Sequence, residues 1–532
     1  MDQTIYYGGD ILTMEGKPED TMPEAVLVKD GCIAALGNKE DLMAREPKSR
    51  LEDLSGHTLM PAFIDPHSHF SGYAYGVLQV SLSETADFQE IIDRIRNFIK
   101  KNHVPKGKWI QAGGYDQNAL AEGRHPDRKV LDAAAPDNPL LIKHQSGHMG
   151  VLNSLGIQNL GLTPETKSPE GGRIGIEDGE LTGYLEENAL MKYMTQIPGE
   201  PKDALLKAFD TAQAAYASYG ICTAQEGMMP AGLAPLYQGL MAMDKLYLDI
   251  VAYEDMKDIE KLETVFSDHL NGYKDHFRIG GYKMFLDGSP QGRTAWMREP
   301  YEDSPDYQGY PTLSDEQVYE KVCLAAANGR QILAHCNGDA AADQYLRMCS
   351  RVAEEYGSIR DIRPVMVHAQ LLGRDQLDEV KRLGILPSFF VAHVKYWGDV
   401  HVKNFGEKRA QHISPAGSAL KKHIPFTFHQ DSPVIEPNML ETVGCAVNRR
   451  TKTGRLLGAD ECIPVWEALK AVTINAAWQY FEEDTKGSLR PGKRADLVIL
   501  DQDPLRVEPE MIGQIQVLET IKDGKTIYKQ EK

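Results

Sequence analysis

No apolar run in these 532 residues approaches the roughly 20 that a bilayer-crossing helix needs, so no membrane span is expected. There is no C-x-x-C pair either. The seven cysteines stand singly and are odd in number, which suits reduced thiols better than a disulfide framework. Basic residues are in deficit, 58 against 77 acidic, and the net charge of -19 argues against nucleic acid or an anionic membrane as partner. The opening "MDQTIYYGGDILTMEG" carries an acid at position two and no basic-then-apolar leader, so a cytoplasmic protein is expected. Fixed-period repeats and low-complexity tracts are missing. A chain this long is expected to hold more than one domain.

The two ends share a texture. "AVLVKDGCIAALG" alternates apolar and polar residues about Asp30-Gly31, and "VLETIKDGKTIY" does so about Asp523-Gly524. Both read as tight hairpins, pieces of a small β-sandwich built from residues 1–58 and 484–532. Between them, helices alternate with short apolar strands. "AFIDPH", "ICTAQE", "LYLDIVAYE", "RIGGYKMFLDG", "QILAHCNGD", "RPVMVHAQ", "ILPSFF" and "PFTFHQDSP" make eight strand candidates. Helical stretches such as "DALLKAFDTAQAAYASYGI", "EQVYEKVCLAAANG" and "RDQLDEVKRLG" precede several of them. Nearly continuous apolar strands in βα alternation predict an α/β fold, a closed (β/α)8 TIM-like barrel over 59–483. About 150 residues separate the first two strands, more than one βα unit uses, so 72–200 is read as an insertion.

In such barrels the chemistry sits at the C-terminal ends of the strands. Those ends carry His67 and His69, then Lys283, His335, His368 and Asp431. Taken singly, each has an ordinary structural reading: a satisfied core histidine, a snorkelling lysine, a turn-capping aspartate. Together they ask for a shared partner, because burying ionisable groups without one is costly. Imidazole and carboxylate suit a divalent ion, zinc first, with manganese, nickel and iron also compatible. Residues i and i+2 of a strand point the same way, so His67 and His69 can reach one ion.

The ordered set "IDPHSHF", "GYKMFLDGS", "ILAHCNGD", "VMVHAQ" and "FHQDSPV" resembles the amidohydrolase superfamily, and more narrowly its YtcJ-like branch, which includes N-substituted formamide deformylases. "GSLRPGKRADLVILDQDP" is similar to the return of that family's chain to its sandwich. The resemblance implies that His67, His69, His335, His368 and Asp431 bind metal, with Asp431 also moving protons. It places at Lys283 a lysine that many members carboxylate on its amine (N6-carboxylysine) to bridge two ions, leaving one or two metals open. Two departures stand out: "DGSPQGRTA" follows strand four, and strand two ends in "TAQE", so Glu226 is given no role.

The expected reaction is metal-assisted hydrolysis of a non-peptide C–N bond in a small molecule, of amide, N-acyl or N-formyl type. Asp431 would act as general base and then acid. His148, from "SGHMGVLNS", is a candidate for the oxyanion, Arg293 for a substrate carboxylate, and Tyr115 and Trp296 for an aromatic wall. The alternatives are a mononuclear deaminase or cyclic-amide hydrolase, and a silent binding homologue. A homodimer is the default assembly.

Overall fold

The computed structural model describes residues 3–18 and 22–531. Eight parallel strands form its centre: β1 (Phe63–Ile64), β2 (Ile221–Met229), β3 (Asp249–Asp255), β4 (Phe277–Phe285), β5 (Gln331–Cys336), β6 (Val365–His368), β7 (Leu386–Phe389) and β8 (Thr427–Phe428). They pair in chain order, each beside the next. The outer pair meets at the C-terminal end, where the His69 N–H donates to the Ser432 carbonyl at 2.7 Å and the rings of His67 and His429 stand 5.1 Å apart. The sheet thus curls into the expected barrel. β5 to β8 are buried along their whole length, as strands covered on both faces must be.

The connecting helices follow their sequence signals. Lys202–Ser218 starts behind Pro201 and gives way at Gly220, whose φ of 80° continues the chain into β2. Asp315–Ala327 opens with a capping box between Ser314 and Gln317. Leu377–Leu383 stops at Gly384 in the left-handed conformation.

Both chain ends meet in the β-sandwich. Thr58–Pro61 pairs antiparallel with Leu497–Leu500, with Leu59 opposite Ile499, in a five-stranded sheet. A four-stranded sheet from the first 53 residues faces it across Tyr6, Val26, Ile33, Leu59, Leu497 and Ile521. Asp30-Gly31 and Asp523-Gly524 both take positive φ at both turn positions, the geometry a two-residue hairpin demands.

The segment between β1 and β2 holds more than its sequence suggested. Besides an amphipathic helix (Phe88–Lys101), it contains a mixed six-stranded sheet running from Val80–Ser81 to Glu180–Glu187. This sheet has its own cores, one around Ile91, Ile110, Leu131 and Ile142. It roofs the mouth of the barrel. Gln145 donates to the Val434 carbonyl at 3.1 Å, the Trp397 indole to Asp116 at 2.9 Å, and the Tyr310 hydroxyl to Glu186 at 3.0 Å.

Candidate metal centre

The backbone after β1 is clamped from below. The Pro66 carbonyl accepts from the amides of Gln225 (2.6 Å) and Gln479 (2.7 Å), and the Asp65 carbonyl from the Tyr480 hydroxyl (2.8 Å). Since Gln225 spends its amide nitrogen there, its carbonyl oxygen is what faces His67 Nδ1 at 2.6 Å. His67 therefore carries its proton on Nδ1 and keeps a lone pair on Nε2.

That lone pair looks into a ring of donors. Lys283 Nζ lies 3.3 Å from His67 Nε2, and Asp431 Oδ1 lies 3.3 Å from the same atom and 3.5 Å from His69 Nε2. His368 Nε2 stands 4.0 Å from Asp431 Oδ2 and 3.2 Å from His335 Nδ1. All six residues named from the strand ends thus meet in one volume. His67, His368 and Asp431 bring one ligand atom each within 4.8 Å of one another. His368 and Asp431 hold their places with left-handed backbone, φ 71° and 52°. Such conformations persist only where the surroundings over-determine them.

Burial decides the charges. It drives His67, His335 and His368 well below the ordinary imidazole range, helped by neighbouring cation-forming groups, so these rings are neutral donors at pH 7. Burial also lowers Lys283 to about 7, with the Asp431 carboxylate working against that shift. Asp431 Oδ1 is buried and has no hydrogen-bond partner among the described residues. A carboxylate oxygen facing the His67 lone pair is an acceptor against an acceptor, an arrangement that a cation between them relieves. The donor set, imidazoles with a carboxylate and an amine of lowered basicity, fits a divalent ion.

Comparison with known proteins agrees with this geometry. Residues 50–528 match the model of the amidohydrolase family. The chain belongs to the amidohydrolase family. Two relatives are each 27% identical to it: a Bacillus subtilis (strain 168) protein that bears the name amidohydrolase YtcJ, over 99% of both chains, and the N-substituted formamide deformylase of Arthrobacter pascens, over 99% of this chain and 98% of that one. An uncharacterised metal-dependent hydrolase from Pyrococcus horikoshii OT3 superposes with a TM-score of 0.77 at 25% identity, covering 96% of this chain and 99% of its own. This amidohydrolase is accordingly a metal-dependent hydrolase.

The remaining sequence candidates separate in the amidohydrolase. His148 reaches the centre, its ring 5.2 Å from that of His335 and its Nδ1 bonded to Glu187 at 2.7 Å. Burial works against a charge on His148, but the carboxylates of Glu187, Asp431 and Asp287 together outweigh it and leave the pKa raised. Tyr115 lies away from the centre. It is fully buried in the core of the insertion, with its hydroxyl on His125 at 3.0 Å and its ring against His144, so it packs the roof. Arg293 turns back onto its own loop, to the Ser304 hydroxyl (2.9 Å) and over the Tyr301 ring. Trp296 is half-buried against the barrel core, its backbone N–H on Asp287 at 3.0 Å.

The supporting residues went unread in the sequence. Gln225 orients His67, Glu187 holds His148, and Asn337 Nδ2 lies 3.0 Å from His335 Nε2. His429 lies 3.0 Å from His368. Its signal was present, because His429 and Asp431 repeat the i, i+2 spacing of His67 and His69. Glu226, left without a role, accepts from the Ser71 N–H (2.9 Å) and the Tyr237 hydroxyl (2.6 Å), pinning the turn that follows His69.

Proposed function

We propose that this amidohydrolase hydrolyses a carbon–nitrogen bond of a small non-peptide molecule, of amide, N-acyl or N-formyl type. The observation that carries the reading is the convergence of four imidazoles, one amine and one carboxylate whose buried oxygen lacks a partner. The full-length likeness to an N-substituted formamide deformylase supports the choice of bond.

His67, His69, His335, His368, Asp431 and Lys283 are the residues that would hold the metal. A divalent ion, zinc by its donor chemistry, supplies Lewis acidity towards a carbonyl oxygen and towards water. Asp431 Oδ1 accepts a proton from the attacking water and hands it to the leaving nitrogen as the C–O bond forms and the C–N bond breaks. His148, steadied by Glu187, offers its Nε2 edge to the developing oxyanion. Lys283, with its pKa near 7, has the uncharged amine that can add carbon dioxide and release a proton, giving N6-carboxylysine. The tight grouping of His67, His368 and Asp431 favours a second reading, a mononuclear deaminase or cyclic-amide hydrolase. A cytoplasmic location is supported by seven free cysteines. Among the described residues no helix is long and apolar enough to cross a membrane.

The test is a screen of N-acyl, N-formyl and cyclic amides against protein loaded with zinc or manganese. Metal content and the mass of the Lys283 peptide, kept out of acid, accompany it. Turnover of open-chain amides with two ions per chain and a carboxylated Lys283 is expected. One ion with an unmodified lysine favours the mononuclear reading, and a protein that holds no metal and turns over nothing overturns both.

A further inference from the structure

The outer edge of His368 is occupied by another histidine. His429 is fully buried, and its Nε2 lies 3.0 Å from His368 Nδ1. Its Nδ1 lies 2.9 Å from the hydroxyl of Ser388 on β7. The ring is wedged edge-on against His67 (centroids 5.1 Å apart) and tilted against Phe390 (5.4 Å), so it has no freedom to turn away.

Proton counting gives this chain a direction. To coordinate through Nε2, the edge that faces Asp431, a neutral His368 keeps its proton on Nδ1 and donates it to His429 Nε2. A neutral His429 that accepts there carries its own proton on Nδ1 and donates it to Ser388 Oγ. Each link forces the next. Metal-binding histidines commonly pass this proton to a carboxylate or a carbonyl, whereas here the acceptor is a neutral imidazole backed by a hydroxyl.

Resting on the metal reading above, we infer that His429 is a positioning residue: with Ser388 behind it, it holds His368 in the tautomer and orientation that present Nε2 to the ion. It touches neither substrate nor ion and acts through His368. Gln225 does the same for His67, so one strand-end ligand on each side of the barrel closure has its proton placed by a neighbour.

The experiment measures zinc affinity of metal-stripped protein by competition with a chromophoric chelator, together with thermal melting in excess chelator. His429→Leu removes the acceptor and is expected to weaken zinc binding by roughly 10–100-fold. His429→Gln restores an acceptor oxygen at that place and is expected to return most of the affinity. Ser388→Ala is expected to lie between. Wild-type affinity in His429→Leu, or equal loss in the Leu and Gln variants, overturns the inference while leaving the metal site standing. If His429→Leu does not fold, Ser388→Ala and His429→Gln decide, and wild-type affinity in Ser388→Ala overturns the directed chain. A wild-type protein that itself retains no zinc overturns the metal reading and this inference together.

Discussion

Asp431 gives the sharpest test, because its substitution by asparagine should move stability in opposite directions with and without metal. Its Oδ1 is buried, 3.3 Å and 3.5 Å from the Nε2 atoms of His67 and His69, and has no hydrogen-bond partner among the described residues. An unsatisfied buried acceptor costs about 1–3 kcal/mol. Asparagine tolerates the left-handed φ of 52° and brings an N–H that either imidazole can accept, so Asp431→Asn should remove most of that cost. With zinc at 100 times its Kd, the wild type gains about 2.7 kcal/mol by mass action, and the variant, short of one anionic donor, gains less. The order of melting temperatures should therefore reverse: the variant above or level with the wild type in excess chelator, and below it in zinc. Melts followed by circular dichroism at pH 8 check this, a pH above the value of about 7 at which buried Lys283 loses its charge, so that no ammonium complicates the comparison. The argument fails if Asp431→Asn melts several degrees below wild type in chelator while zinc raises both equally.

Away from the centre, burial pushes Asp249 up, but Lys486 (2.5 Å) and Lys522 (2.8 Å) outweigh it and leave its pKa well below the ordinary 3.8. That stabilisation is fully present above the unfolded-state value and is lost only as pH falls through the folded one. Asp249→Asn, which leaves two buried ammonium groups short of an anion, should cost about 3–5 kcal/mol at pH 7, and the gap in melting temperature should close only below pH 4. Replacing Gln225 with leucine should weaken zinc binding by about 10–100-fold with little change in the helical circular dichroism signal, since it frees His67 without opening the fold. His148→Ala should lower kcat by about 100–1,000-fold on any substrate found, with a small change in KM. A raised KM with kcat unchanged would mark His148 as a binding contact instead.

The barrel and the residue types at its strand ends were legible because both obey narrow rules. Strands covered on two faces are apolar throughout, and an ion accepts few ligand types, so His67, His335 and Asp431 stood out against the residues before them. The insertion obeys looser rules. Its strand Ile110–Tyr115 contains two glycines and its first strand is two residues long, so neither alternation nor a run marked the six-stranded sheet. Tyr115 shows the same difficulty: an aromatic at the end of an unrecognised strand gives no sign of whether it faces a pocket or a core.

The supporting residues were harder still. What His67 needs from Gln225, or His148 from Glu187, is a hydrogen-bond acceptor at one point, and any of several side chains from any strand can provide it. Their identity is settled by which backbone reaches that point, a property of the assembled barrel. The same holds for substrate choice. The roof meets the barrel through Gln145 on Val434, Trp397 on Asp116 and Tyr310 on Glu186, contacts between segments more than 100 residues apart. A metal ligand can be read from its own strand, whereas a substrate wall exists only where two such segments close on each other. The chemistry of the centre is therefore the portion of this protein most constrained by sequence, and the shape of what enters it the least.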